Sequence, residues 1–165
     1  MFKWAATIDQ TPYLFVPEAI KFREDVCGGE ARIRDYCFNL AHVGGCIVAK
    51  ALGTATMGTP QDQSGQCCFT NVRLPVQFQR PDAPSLDAQG NLDAAEGPKI
   101  VAWLMDRAIC DYNTWIPGKF YGGAVWVRFS AQIYLEMKDF EWAGVVLKAL
   151  CGRVEKGEWR EKVSR

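Results

Sequence analysis

The fold of this chain is decided by Glu30-Ala-Arg-Ile-Arg-Asp-Tyr-Cys-Phe-Asn-Leu-Ala-His-Val-Gly-Gly-Cys-Ile-Val-Ala-Lys-Ala-Leu52. Apolar residues recur in it at steps of three and four, which is the spacing of one face of an α-helix. The pattern predicts a helix of about six turns over residues 30–52. Gly44 and Gly45 lie inside this helix, where each costs roughly 1 kcal/mol relative to alanine. We therefore expect another backbone to approach the helix closely at this pair.

Two strands and two further helices are predicted after the long helix. The strands cover residues 68–78 and 124–134, where β-branched and aromatic side chains are concentrated. Amphipathic helices are predicted over residues 99–113 and from Asp139 onwards, with Asp139 as the N-terminal cap. This mixture of elements favours an α+β layer.

The chain is expected to form a single domain over residues 1–165. Residues 79–98 contain several prolines, glycines and acidic side chains but few large apolar ones, so they are predicted to form a mobile surface loop. Neither side of this loop is complete alone, and it is not interpreted as a domain boundary. The charged tail, residues 156–165, is expected to fray.

Composition and charge exclude several classes of partner. The 19 Lys and Arg residues balance 19 Asp and Glu residues without a basic stripe, which argues against nucleic acid. No run approaches about 18 apolar residues, so no membrane-spanning helix is expected. The 7 cysteines include no Cys-x-x-Cys pair, and the first residues do not form a secretory signal. We therefore expect a reduced, cytoplasmic protein.

No metal site and no catalytic residue are predicted from the cysteines and the single histidine. Cys37 and Cys46 lie on the long helix and, like the other thiols, are expected in the core. A zinc site usually needs four ligands in close pairs, and Cys67-Cys68 is the one adjacent pair. His42 lies mid-helix and is expected to be partly exposed. A cysteine-dependent hydrolase would need His42 beside a thiol and has little support.

Arg128 lies between Val127 and Phe129, inside the apolar stretch of a predicted strand. An arginine at such a position either alternates outward from the core or has a partner that offsets its desolvation. Its planar, paired donors suit a carboxylate. The pattern alone leaves both interpretations open.

Trp126-Val-Arg-Phe-Ser-Ala-Gln-Ile-Tyr134 resembles a strand near the C-terminus of class V aminotransferase-like enzymes. These are pyridoxal phosphate (PLP) enzymes of fold type I. The resemblance points to the isopenicillin N epimerase-like and cysteine desulfurase-like branch, including fungal members in specialised metabolism. Further stretches that resemble the family, in the same order, are Trp4–Asp9, Tyr13–Pro17, Phe22-Arg23, Gly28–Glu30, Asn71–Pro75 and Asp139–Ala143.

The resemblance implies the C-terminal, small domain of such an enzyme, with a small antiparallel sheet covered by helices. Residues 30–52 would be the connector helix between the large and small domains. The large cofactor-binding domain with its Schiff-base lysine would precede Met1, so no catalytic residue is assigned here. Lys3 follows the Schiff-base position in chain order and is not taken as its substitute. Whether the chain is itself an enzyme therefore stays open.

Two functional positions carry over by resemblance. Arg128 matches the arginine that binds the α-carboxylate of the substrate. Thr7 matches the threonine of a Gly-Thr turn that reaches the PLP phosphate of the neighbouring subunit. Ala6 replaces the usual glycine of that turn, and an alanine is costly there if the turn needs a positive φ.

Two interpretations of function follow from the resemblance. The first is a truncated or split PLP-dependent enzyme that acts on an α-amino acid by transamination, epimerisation or C–S cleavage, together with a companion PLP-enzyme chain. The second is a non-catalytic interaction module, or relic, that binds a full-length homologue. Half of the apolar face of helix 30–52 would lack its usual partner, which predicts self-association or a bound companion.

Overall fold

The fold is seen in a computed structural model that describes residues 11–58, 67–79 and 92–161. The chain divides into two compact units, residues 1–36 and 37–165. None of the helices in these described ranges is long and apolar enough to cross a membrane.

The first unit contains helices α1 (Thr11–Leu14) and α2 (Val16–Asp25), neither of which has a buried residue. After α2 the chain turns through two glycines with positive φ, 81° and 88°, at Gly28 and Gly29. The Arg23 guanidinium closes this turn with a pair of hydrogen bonds to Glu30 and holds the pKa of that carboxyl below its usual value. The turn is therefore fixed by local contacts.

The longest helix is α3 (Glu30–Leu52), which confirms the prediction made from its periodicity. The elements that follow it are β1 (Phe69–Arg73), α4 (Gly97–Tyr112), β2 (Gly118–Tyr121), β3 (Ala124–Ser130) and α5 (Met137–Glu155). The strands form a three-stranded antiparallel sheet in the order β1-β3-β2. The predicted α+β fold with a small antiparallel sheet is confirmed.

One face of the sheet is buried beneath helices. Val125 and Val127 of β3 line a small interior space together with Leu104 of α4 and Leu147 of α5. Side chains on this face are nearly or fully removed from solvent, including Val72, Val125, Val127 and Phe129. An antiparallel sheet can leave its second face in water, and this sheet does so.

Side chains, not another backbone, meet the glycine pair of α3. A Cβ atom on Gly44 would lie 2.4 Å from the ring of Phe140, and one on Gly45 would lie 2.5 Å from the methyl group of Thr70. Glycine is therefore required here for side-chain packing, and the expected approach of a backbone is wrong. From Cys37 to Leu52 the apolar face of α3 is largely buried. The prediction that half of the apolar face lacks a partner is therefore wrong for this part of the helix.

Strand β2 was not predicted. Gly122 and Gly123 join it to β3 with φ values of 57° and 71°, the left-handed conformation of a two-residue hairpin turn. The predicted second strand ends early, at Ser130, and residues 131–134 continue outside the sheet. The hairpin makes β3 the central strand of the sheet.

The helix ends differ from the predictions. Asp139 is the third residue of α5 and accepts a hydrogen bond from the Glu136 N–H at 2.7 Å, while Glu136 is the cap. The last part of the predicted 79–98 loop is ordered, since Leu92 bridges Phe78 and α4 begins at Gly97. Residues 80–91 lie outside the described residues.

In the tail, Trp159 is buried, so residues 158–160 do not fray.

Candidate functional site

Arg128 lies on the open face of the sheet, in the middle of its central strand. It is paired with Asn71 of β1, and its backbone N–H donates to the Pro117 carbonyl at 2.9 Å. Since side chains alternate along a strand, the neighbours Val127 and Phe129 face the core and Arg128 faces solvent. The hydrogen bond to Pro117 therefore fixes the backbone of this arginine in the sheet while its side chain stays accessible.

The Arg128 guanidinium has no carboxylate partner among the described residues. Its central carbon lies 5.9 Å from the centre of the Phe69 ring, which packs beside it on β1. A guanidinium presents paired donors that match the two oxygens of a carboxylate. The arrangement leaves these donors available to a ligand.

A groove of about 500 Å³ runs along the open face beside Arg128. It is lined by Met57, Asn71, Pro117, Gly118, Lys119, Tyr121, Trp126 and Arg128. No acidic side chain is among these residues. The Trp126 indole N–H donates to the Tyr121 carbonyl at 3.2 Å, which fixes the ring in the groove. We call this space the Trp126 groove.

Arg128 also lines a second groove of about 550 Å³ on the side of α5. Several exposed aromatic side chains lie there, among them Trp115, Tyr134 and Trp142. Asp139 contributes a carboxylate to this groove, whereas the Trp126 groove carries only positive charge. An anionic ligand is therefore favoured in the Trp126 groove.

The described residues do not form a site that fits PLP. Every lysine among them has an exposed side chain, and none of their buried side chains is charged or polar. An aldehyde cofactor needs an enclosed amine, and exposed lysines do not provide one. Thr7, Ala6 and Lys3 lie outside the described residues, so the predicted phosphate contact of Thr7 stays a prediction.

The cysteines are less buried than predicted. Cys37 and Cys151 are buried, and burial raises the pKa of the Cys151 thiol to about 12. Cys46 and Cys110 are exposed, which contradicts the expectation of a core thiol at Cys46. His42 is exposed, and no group of three potential metal ligands occurs within the parts of the chain that the structure describes.

Lys119 was not predicted at the site because strand β2 was not predicted, and Trp126, although inside the predicted strand 124–134, was given no role. The pairing of Lys119 with Trp126 across the hairpin brings both residues to the groove of Arg128. The available signal was the Gly122-Gly123 pair between two apolar-containing segments, which is typical of a hairpin.

Comparisons with known proteins point to enzymes of sulfur amino acid chemistry. The chain is 37% identical over 172 aligned positions to the L-cysteine desulfhydrase-like protein lolT2 of Epichloe uncinata, and the match covers 99% of this chain. It is similar to one segment of that protein. The L-cysteine desulfhydrase-like protein lolT1 of the same organism is 38% identical over 162 positions, covering 93% of this chain.

A third relative is the hercynylcysteine sulfoxide lyase of Schizosaccharomyces pombe, 31% identical over 143 positions and 87% of this chain. The chain spans 37%, 36% and 30% of the lengths of lolT2, lolT1 and the lyase, respectively. No family model matches it. The three similarities support the resemblance to PLP-dependent enzymes that the sequence motifs indicate.

Proposed function

We propose that this chain is the carboxylate-binding part of a PLP-dependent enzyme that cleaves a C–S bond of a cysteine-type α-amino acid. The observation that carries the proposal is the Arg128 guanidinium, which stays open on the sheet face beside a groove whose described lining residues include no acidic side chain. Similarity to desulfhydrase-like proteins and a sulfoxide lyase supports the reaction class. Within the class V aminotransferase-like fold, the chain would correspond to the C-terminal, small domain.

Arg128 would bind the α-carboxylate of the substrate through its paired donors. This contact fixes the orientation of the amino acid, so that its C–S bond is presented to the rest of the active site. The rest of the site, with the cofactor and its lysine, is assigned to the part of such an enzyme that the relatives carry beyond the matched region. This assignment agrees with the exposure of every lysine among the described residues.

Incubation of the purified chain with PLP, followed by borohydride reduction, should give no single stoichiometric adduct. Exposed lysines such as Lys50 and Lys148 have no enclosed pocket around them and should be labelled sparsely and without preference. Peptide mapping by mass spectrometry measures the occupancy of each lysine. One fully modified lysine would contradict the division of the active site between this chain and another segment.

A partner surface is proposed at helices α1 and α2, which have no buried residue. Their large apolar side chains are between 49% and 74% exposed: Tyr13, Leu14, Phe15, Val16, Ile20, Phe22 and Val26. A concentration of exposed large apolar side chains in one short segment is typical of an interaction site. Because the relatives extend well beyond the matched region, the proposed occupant is the remaining segment of such an enzyme.

Leu14→Ser should weaken binding of this chain to the separately expressed remaining segment of lolT2 by about tenfold or more, since burial of a leucine contributes about 1.5–3 kcal/mol. Surface plasmon resonance measures the affinity. Val145→Ser is the matched control, because Val145 is 69% exposed on α5 and Leu14 is 74% exposed. Equal affinities of the two variants for the lolT2 segment would show that α1 is not part of the interface.

The second candidate function is the non-catalytic interaction module, which the same exposed helices favour. Sedimentation of the chain alone separates the two functions. The module is favoured if the chain forms a dimer, Leu14→Ser dissociates this dimer, and the unchanged chain does not bind the lolT2 segment. The apolar surface would then be assigned to a second copy of the chain.

A further inference from the structure

Lys119 contributes a second positive charge to the Trp126 groove. It lies directly across from Trp126 in the β2–β3 pairing, on the same face of the sheet as Arg128. Arg128 is two residues further along β3, so the two cations are diagonal neighbours with an expected separation of about 7–8 Å between their backbones. Both residues line the groove, together with Trp126.

Lys119 is exposed and has no ion pair within the described ranges of the chain. Arg73 also lies across from Trp126, on the opposite side in β1, but it does not line the groove. Among the residues that the structure describes, the lining of the groove therefore contains two cations and no anion. Two like charges held at one site repel each other, and a ligand with two negative charges relieves this repulsion.

We propose that Lys119 binds a second acidic group of the substrate, so that the site accepts cysteine-type amino acids whose sulfur substituent ends in an acid. The α-carboxylate would bind Arg128, the distal acid would bind the Lys119 ammonium, and the short thioether linker would span the groove between them. This inference rests on the proposed function, because it takes the Arg128 contact as given. It adds the substrate class that the groove selects.

The test compares two thioether amino acids that differ in the distal acid. S-carboxymethyl-L-cysteine carries it, and S-ethyl-L-cysteine does not. Each is titrated into the ¹⁵N-labelled chain, and dissociation constants are taken from the amide shifts of the groove residues. Lys119→Gln should weaken the binding of S-carboxymethyl-L-cysteine about fivefold, as expected for loss of one solvent-exposed ion pair, and leave the binding of S-ethyl-L-cysteine unchanged.

Lys148→Gln is the matched control, because Lys148 is an exposed lysine on α5, away from the groove. Lys148→Gln should not change the affinity for either thioether amino acid. Arg128→Gln should weaken the binding of both ligands, since both carry the α-carboxylate.

The outcomes separate this inference from the proposed function. If Lys119→Gln weakens both ligands equally, or neither, the role of Lys119 is overturned while that of Arg128 stands. If Arg128→Gln changes neither ligand, the proposed function itself fails. Inorganic phosphate is titrated as a third probe. Phosphate binding that Lys119→Gln abolishes, with no preference between the thioethers, would identify a site for a simple anion and overturn the inference.

Discussion

Replacement of Arg128 by glutamine should lower kcat/KM for L-cysteine about 100-fold in an assembly of this chain with the remaining segment of lolT2. Glutamine keeps a polar side chain but loses the charge and the paired donors. Hydrogen bonds to a charged group contribute about 1.5–3 kcal/mol each, and a loss of about 3 kcal/mol corresponds to about 100-fold. Sulfide release measures the rate, since the relative is named as desulfhydrase-like.

Arg73→Gln is the matched control for this prediction. Arg73 lies on the same face of the sheet, one strand away, but does not line the Trp126 groove. Its substitution should leave kcat/KM within about twofold, as expected for a surface change at a residue that does not line the groove. Arg128→Lys should recover part of the loss, because it restores the charge without the paired donors. Equal losses for Arg73→Gln and Arg128→Gln would indicate a general effect of positive charge and not a carboxylate contact.

The sequence allowed the outward orientation of Arg128 to be predicted, but it did not allow prediction of the residues that surround its side chain. Alternation along the strand from Val127 to Phe129 already allowed an arginine that faces solvent. Strand register decides which residues share its face, and register depends on which strands pair. Because Gly118–Tyr121 is too short to give a strong alternating pattern, the strand was not predicted, and the position of Lys119 beside Trp126 followed only from the structure.

In helix α3, the periodicity of apolar residues was sufficient to predict the helix and its bounds, but it was not sufficient to predict which residues contact it. The three- and four-residue spacing predicted Glu30–Leu52, the same bounds that the structure has. The nature of the neighbours at Gly44 depends on α5, which lies about a hundred residues later in the chain. Local pattern carries no information about such a distant contact.

A single buried aromatic residue explains why the described part of the tail, residues 156–161, does not fray as predicted. Residues 156–165 are mostly charged, so composition favours fraying, but Trp159 is 2% exposed. The Lys99 ammonium of α4 lies 5.1 Å from the centre of its ring, and the Arg160 guanidinium lies 4.6 Å from it. Burial of the tryptophan therefore orders residues 158–160, and the two cation–π contacts add to it; composition reveals neither.

Gly44→Ala should lower the free energy of unfolding by about 1–2 kcal/mol. Alanine is the better helix former by roughly 1 kcal/mol, but overpacking in a core costs typically 1–3 kcal/mol. The second effect dominates because the new Cβ would lie 2.4 Å from the Phe140 ring, which is itself buried against Phe129 with 5.5 Å between ring centres. Urea unfolding followed by tryptophan fluorescence measures the change.

Gly152→Ala on α5 is the matched control, because a Cβ at Gly152 meets nothing within 4 Å. There only the helix preference acts, so the same substitution should raise stability by about 0.5–1 kcal/mol. The opposite signs isolate the packing of α3 against α5 from helix propensity. Since this packing supports the buried side of the sheet whose open side carries Arg128, Gly44→Ala should also weaken ligand binding in the Trp126 groove. A stabilised Gly44→Ala variant would show that Phe140 moves freely and that the two helices are loosely packed.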